Sequence, residues 1–194
     1  MNKQWIKFKS VNALILGLFL ILTACQQMSE KETDKSAGLN GGFEISKNDL
    51  PVNWLMYGPK TVPNADFEIG LDKNTFKEGK QSLRFDVKNC SSTGGWGSPG
   101  FTNEFFETGK FEGEGIYKLS FWIKNNGTKF RVNAGGVSPF EGNMKVLMES
   151  DEQIDDWRYL EYKINIPIDR HLRMELNVLK SGTLWIDDVQ IVKI

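Results

Sequence analysis

From Phe67 to Ile191 the chain returns repeatedly to one pattern, short runs in which apolar and polar residues alternate, broken by turn-forming residues. The runs are 67–71, 82–87, 117–123, 130–134, 159–166, 172–179 and 184–191. Successive side chains of an extended strand point to opposite faces, so a two-residue period marks a strand with one oily and one wet face. Such strands are stable when two oily faces close on each other. Glu78-Gly79-Lys80, Asn125-Asn126-Gly127 and Lys180-Ser181-Gly182 fall between runs and suit tight turns and short crossovers. The pattern predicts an all-β fold, an antiparallel β-sandwich. One segment is ambiguous: within 144–157, Leu147, Met148, Ile154 and Trp157 approximate helical spacing, whereas Val146, Asp155 and Asp156 suit a short strand and a turn.

The amino end obeys different rules. Lys3, Lys7 and Lys9 precede an apolar run from Ala13 to Leu22. That run is shorter than the roughly 20 residues a membrane span needs, and it reads as a secretory signal peptide over 1–24. Leu22-Thr23-Ala24-Cys25 matches a bacterial lipobox, in which an aliphatic residue and two small ones precede the acylated thiol. Acyl chains on Cys25 are expected to hold the mature protein at the cell membrane or outer membrane, facing outside the cytoplasm. Residues 25–41 are polar and lack apolar periodicity, as a flexible stalk does, which leaves 42–194 as one β-sandwich domain, expected to be monomeric.

Cleavage before Cys25 removes three lysines and no acid, leaving 21 basic against 25 acidic side chains and a net charge of −4. A mildly acidic body without basic clusters excludes nucleic acid as a partner and leaves the lipid anchor as the contact with membrane. Cys90 is then the only free thiol, so stability rests on the core rather than on an internal disulfide.

The order of short motifs is also informative. Gly42-Phe43-Glu44 opens the domain; Leu50-Pro51-Val52-Asn53-Trp54, Leu71-Asp72 and Glu78-Gly79-Lys80-Gln81-Ser82-Leu83 follow; Tyr117-Lys118-Leu119-Ser120-Phe121-Trp122-Ile123-Lys124, Asp156-Trp157 and Gly182-Thr183-Leu184-Trp185-Ile186-Asp187-Asp188-Val189 close it. This series resembles the galactose-binding-like jelly rolls of carbohydrate-binding modules and of related bacterial surface lipoproteins. The resemblance implies a jelly roll that binds glycans in some proteins and serves as a docking module in others. It also implies a structural calcium ion near the first and last strands. Glu44 and Asp187 match the acids expected there, with backbone oxygens near Glu78 and Lys80 completing the shell of a hard cation. The alternative is that both acids are solvated strand ends.

Glycan sites pair an aromatic platform, which meets the C–H face of a sugar, with amide, carboxylate or guanidinium partners for its hydroxyls. Trp122 lies opposite the apolar face Tyr117, Leu119, Phe121 and Ile123, and Arg131, Asn133, Glu175 and Asn177 lie opposite the apolar faces of their own strands. These five are candidate ligand-binding residues, or else the wet side that any antiparallel sheet presents. Trp96, a large aromatic among small residues in Ser91–Gly100, is a second platform candidate, or a loop tip covering an open end of the sandwich. Trp54, Trp157 and Trp185 fall where the jelly-roll pattern has core or rim aromatics and are expected to serve packing.

Gly95-Trp96-Gly97-Ser98-Pro99-Gly100 matches a dinucleotide motif in letters, but no helix follows to receive a phosphate. His171 is the only histidine and reads as a strand-entry residue, and no Cys/His cluster suggests zinc. The expectation is a noncatalytic module whose partner is a glycan. The alternative from a different class is a scaffold lipoprotein that docks another envelope protein.

Overall fold

The computed structural model describes residues 38–103, 114–138 and 142–194. All belong to the second of the two units into which the chain divides, 33–194. The signal peptide, Cys25 and most of the stalk lie outside the described residues.

Twelve strands make up the described fold: β1 (Ser46–Lys47), β2 (Leu50–Pro51), β3 (Trp54–Tyr57), β4 (Asp66–Asp72), β5 (Ser82–Asn89), β6 (Gly100–Asn103), β7 (Gly115–Asn126), β8 (Phe130–Val137), β9 (Gly142–Ser150), β10 (Ile154–Ile166), β11 (His171–Val178) and β12 (Gly182–Lys193). They form a five-stranded sheet β10-β7-β12-β5-β4, a second five-stranded sheet β3-β6-β11-β8-β9, and the small pair β1-β2, all antiparallel. This is the predicted sandwich, and each of the seven alternating runs lies within one strand or runs no more than one residue past its end.

The inward faces are the ones the alternation marks. Tyr117, Leu119, Phe121 and Ile123 on β7 are buried against Leu172, Met174, Leu176 and Val178 on β11 and their neighbours in one core. Phe101 of β6 crosses the sandwich. Its ring packs edge-on against Trp54 at 5.0 Å and stacks on Phe85 of the other sheet at 6.0 Å.

The ambiguous segment 144–157 is not helical: it is most of β9, a short connection and the start of β10. A bulge shifts the β8–β9 register after Val132, and Leu147 and Met148 both pack toward the core. Two adjacent apolar residues facing the same way mimic helical spacing, whereas in a bulged strand they mark the extra residue.

Gly38–Gly41, assigned to the stalk by composition, are tied into the domain. Asn40 donates through Nδ2 to the carbonyls of Ile45 and Val52, and its own carbonyl accepts from Trp54 Nε1 at 3.0 Å. The Gly41 carbonyl accepts from the Val189 amide on the last strand. The folded part therefore begins before residue 42.

Candidate functional site

The register across β3-β6-β11-β8-β9 shows which residues share its outward face. One row runs Tyr57, Gly100, Asn177, Arg131 and Glu149, and the next runs Leu55, Thr102, Glu175, Asn133 and Val146. The second row has apolar ends, Leu55 at 37% exposed and Val146 at 58%, and a polar middle.

The middle is a preorganised hydrogen-bond network. Tyr57 Oη donates to Glu175 Oε2 at 2.7 Å, and Arg173 Nη2 donates to Tyr57 Oη at 2.7 Å and to Glu175 Oε2 at 3.2 Å. Arg173 Nε donates to Thr102 Oγ1 at 3.1 Å, and Asn133 Nδ2 reaches Glu175 Oε1 at 3.4 Å. Burial, with the neighbouring Glu175 carboxylate, pushes the Tyr57 phenol well above its ordinary range, so it stays a proton donor. Buried groups held by several partners keep their orientation, which an outward-facing binding surface needs.

Over this network lies Trp96. Its ring stacks on Tyr57 at 5.0 Å with an interplanar angle of 27°, and 56% of the residue remains exposed. The loop carrying it is a single 3-10 turn, Gly95–Gly97, latched to the sheet. Asn177 accepts from the Gly95 amide at 3.0 Å and donates to the Gly95 carbonyl at 3.2 Å, and Arg131 donates through Nη1 to the Thr93 carbonyl at 3.0 Å. Arg131 also donates through Nε to Glu149 at 2.6 Å. Gly94 has φ 109°, and a Cβ there would lie 2.8 Å from Arg131 Nη1, so the latch needs glycine at this position. Hydrogen bonds from Lys129 and Arg131 hold the Glu149 carboxyl below the usual range.

Arg131, Asn133, Glu175, Asn177 and Trp96 thus come together on one side of the molecule, but in two roles. Glu175 and Asn133 form the floor, while Asn177, with no exposed surface and both amide atoms on Gly95, and Arg131 position the Trp96 loop. Tyr57, Arg173 and Thr102 also belong to the floor, and sequence reasoning missed them. Tyr57 ends a four-residue strand too short to show a period, and Arg173 has the same outward parity on β11 that marked Glu175 and Asn177.

Trp122 stands apart from the other candidates. It sits on β7 of the opposite sheet, so it shares no face with the other candidates. Its ring lies 5.2 Å from Tyr159, and Lys77 Nζ sits 4.3 Å from its centroid, occupying the ring face a sugar would use. Of the three tryptophans expected to serve core or rim packing, Trp54 is buried. Trp157 and Trp185 are half-buried, and Trp185 Nε1 donates to Asp72 at 2.9 Å.

Glu44 and Asp187 approach one loop, 77–81, from opposite ends of the chain. Asp187 Oδ2 accepts from the Lys77 and Glu78 amides at 2.7 and 3.0 Å, Oδ1 accepts from the Asp188 amide, and Glu44 Oε1 accepts from the Lys80 and Gln81 amides at 2.8 and 3.3 Å. Glu78 and Lys80 thus meet the two carboxylates through their amide hydrogens. No group of three or more His, Cys, Asp or Glu side chains able to hold a metal occurs among the described residues. A hard cation on these two acids would have to displace amide donors that already face them and draw its other oxygens from carbonyls and water.

No family model matches the chain. It is 25% identical over 163 residues to alpha-L-arabinofuranosidase 1 of Arabidopsis thaliana, a match covering 77% of this chain and 23% of that protein, so the chain spans about a quarter of the length of this curated relative. Among solved structures it is similar to the C-terminal family 22 carbohydrate binding module of Clostridium thermocellum Xyn10B, at 16% identity and a TM-score of 0.54 over 79% of this chain and 90% of that one. The CBM22-1 xylan-binding domain of Paenibacillus barcinonensis Xyn10C gives 13% identity and a TM-score of 0.53 over 79% and 91%. The CBM22-1 and GH10 modules of the Clostridium thermocellum enzyme, complexed with xylohexaose, give 20% and 0.54 over 73% and 26%. The described domain has the jelly-roll fold of these carbohydrate-binding modules.

Proposed function

We propose that this chain is a noncatalytic glycan-recognition module, held to a membrane by acyl chains on Cys25, with its binding face on the sheet β3-β6-β11-β8-β9. One observation carries the reading: an exposed indole, Trp96, is stacked and latched beside the part-exposed polar side chains of Arg173 and Asn133, which buried Tyr57 and Glu175 hold in place. A sugar ring has both an apolar face and a rim of hydroxyls, and this surface offers a partner to each. The fold shared with xylan-binding modules makes a β-linked neutral polysaccharide the first ligand to try.

The carboxylates of the face support a noncatalytic reading. Glycosidases need one carboxyl raised to act as an acid beside a second that stays ionised. Glu149 is instead held ionised by two cations, and Glu175 is engaged by Tyr57 and Arg173.

Calorimetric titration of the full-length protein with xylohexaose and with cellohexaose tests the proposal. Binding to at least one is expected, weakened about tenfold or more in Trp96→Ala, equivalent to about 1.4 kcal/mol or more. Absence of binding to both sugars, or an unchanged affinity in Trp96→Ala, would sink it.

The reading includes a calcium ion on Glu44 and Asp187, joining the two ends of the domain. At calcium a hundredfold above its dissociation constant, the thermal midpoint should exceed that in chelator by about 5–10 °C. Equal midpoints would remove the ion and leave the carboxylate-amide clamp alone.

A further inference from the structure

Along β4, an edge strand of the opposite sheet, lies a cavity of about 580 Å3. That volume is within the range of small-ligand sites. Its far wall is the hairpin of β1 and β2, where Asn48 and Asp49 both adopt positive φ, as a tight two-residue turn requires.

Gly70 forms part of the floor. A Cβ added there would meet nothing within 4 Å, so this outward position on β4 is open space rather than a close approach. In register, Gly70 lies beside Arg84 and Arg84 beside Trp185, so one row runs from the open floor through a guanidinium to an indole. Arg84 pairs with Asp86, and its Nε is buried with no hydrogen-bond partner. That nitrogen lies beneath the surface, so it is the exposed remainder of the Arg84 side chain, 41% accessible, that a ligand in the cavity would meet. Asp72, also on the wall, accepts from Trp185 Nε1 and from the amides of Asn74 and Thr75.

We propose that this cavity is a second saccharide site, separate from the Trp96 face, and that it takes a neutral oligosaccharide. Half-buried Ile69 and Leu71, whose side chains pack toward the core, border the cavity along the β4 edge. Arg84 donates and Asp72 and Asp86 accept, which is the mixture vicinal hydroxyls require. Charge selects among sugars: four carboxylates, of Asp49, Glu68, Asp72 and Asp86, line the cavity with two cations, Lys73 and Arg84. The excess of negative charge disfavours a uronate.

The indole N–H resonances of the full-length protein provide the test, since Trp185 and Trp96 report on the two faces separately. On titration with xylohexaose or cellohexaose, the Trp185 signal should move in wild type and in Trp96→Ala alike. Gly70→Phe, whose Cβ enters open space and whose ring then occupies the floor, should abolish that movement and leave the Trp96 response intact. Asp86→Asn should weaken the Trp185 response at least fivefold, and it decides the matter if Gly70→Phe does not fold. Hexagalacturonate should leave Trp185 unmoved. A Trp185 signal that stays still with both neutral sugars, that moves equally in Gly70→Phe, or that responds to hexagalacturonate would overturn the proposal. Loss of the Trp96 response alone would count against the first site and leave this one standing.

Discussion

Phe101→Ala should destabilise the domain by about 3–5 kcal/mol, read from the urea midpoint at constant slope. Phe101 has no exposed surface, and its ring touches Phe43, Trp54 and Phe85 at 6.2, 5.0 and 6.0 Å. Those three rings come from the opening segment, the edge strand β3 and the opposite sheet, so one side chain fastens three parts of the sandwich together. None of the three can fill the vacated space without abandoning its other contacts, which places the cost at the upper end for a cavity. Leu55→Ala, on the neighbouring strand but facing outward at 37% exposure, is the control and should cost under about 1 kcal/mol. A Phe101→Ala cost no larger than the control would mean that the two sheets are not closed through this ring.

Asp187→Ala should cost about 3 kcal/mol or more, because it leaves the amides of Lys77, Glu78 and Asp188 without their acceptor in a site where Asp187 has no exposed surface. The pH dependence is a sharper test. Burial raises the Asp187 carboxyl above its ordinary range, and the three amide hydrogen bonds oppose that rise without cancelling it. The folded state therefore holds this proton more tightly than the unfolded chain, whose carboxyl titrates near 3.9. The resulting stability is fully present below the unfolded value and is lost as pH rises through the raised one. Asp187→Asn cannot titrate, so its deficit relative to wild type should be largest in acid and should narrow as pH climbs through that window. Asp72 is shifted the other way: against an opposing effect of burial, hydrogen bonds from Trp185, Asn74 and Thr75 and the charge of Arg84 lower its carboxyl. The difference between the two proteins isolates Asp187 because Asp72 is common to both. A deficit that is flat with pH would show that folding does not shift the Asp187 carboxyl.

How much of this was legible beforehand differs from strand to strand. β7 announced itself because Tyr117, Leu119, Phe121 and Ile123 bury one complete face. β9 did not, because it is an edge strand exposed along most of its length, and its bulge turns two successive residues inward. β1, β2, β3 and β6 have two to four residues each, too few for a period to declare itself. Trp96 stood out as a bulky ring among glycines, but the Tyr57 ring beneath it comes from a strand 39 positions earlier in the chain.

By itself the amino-acid order determined the all-β class, the inward faces of the long strands other than β9 and, through parity, that Arg131, Asn133, Glu175 and Asn177 point outward. These are local consequences of a two-residue repeat, which the backbone imposes wherever a strand forms. Only the tertiary structure decided which sheet each strand joins. It thereby separated Trp122 from the other candidates, turned Asn177 and Arg131 toward the Trp96 loop, and brought Tyr57 to Glu175. Sheet membership depends on long-range pairing between segments, and the free energy that selects it belongs to the closed core as a whole rather than to any one strand.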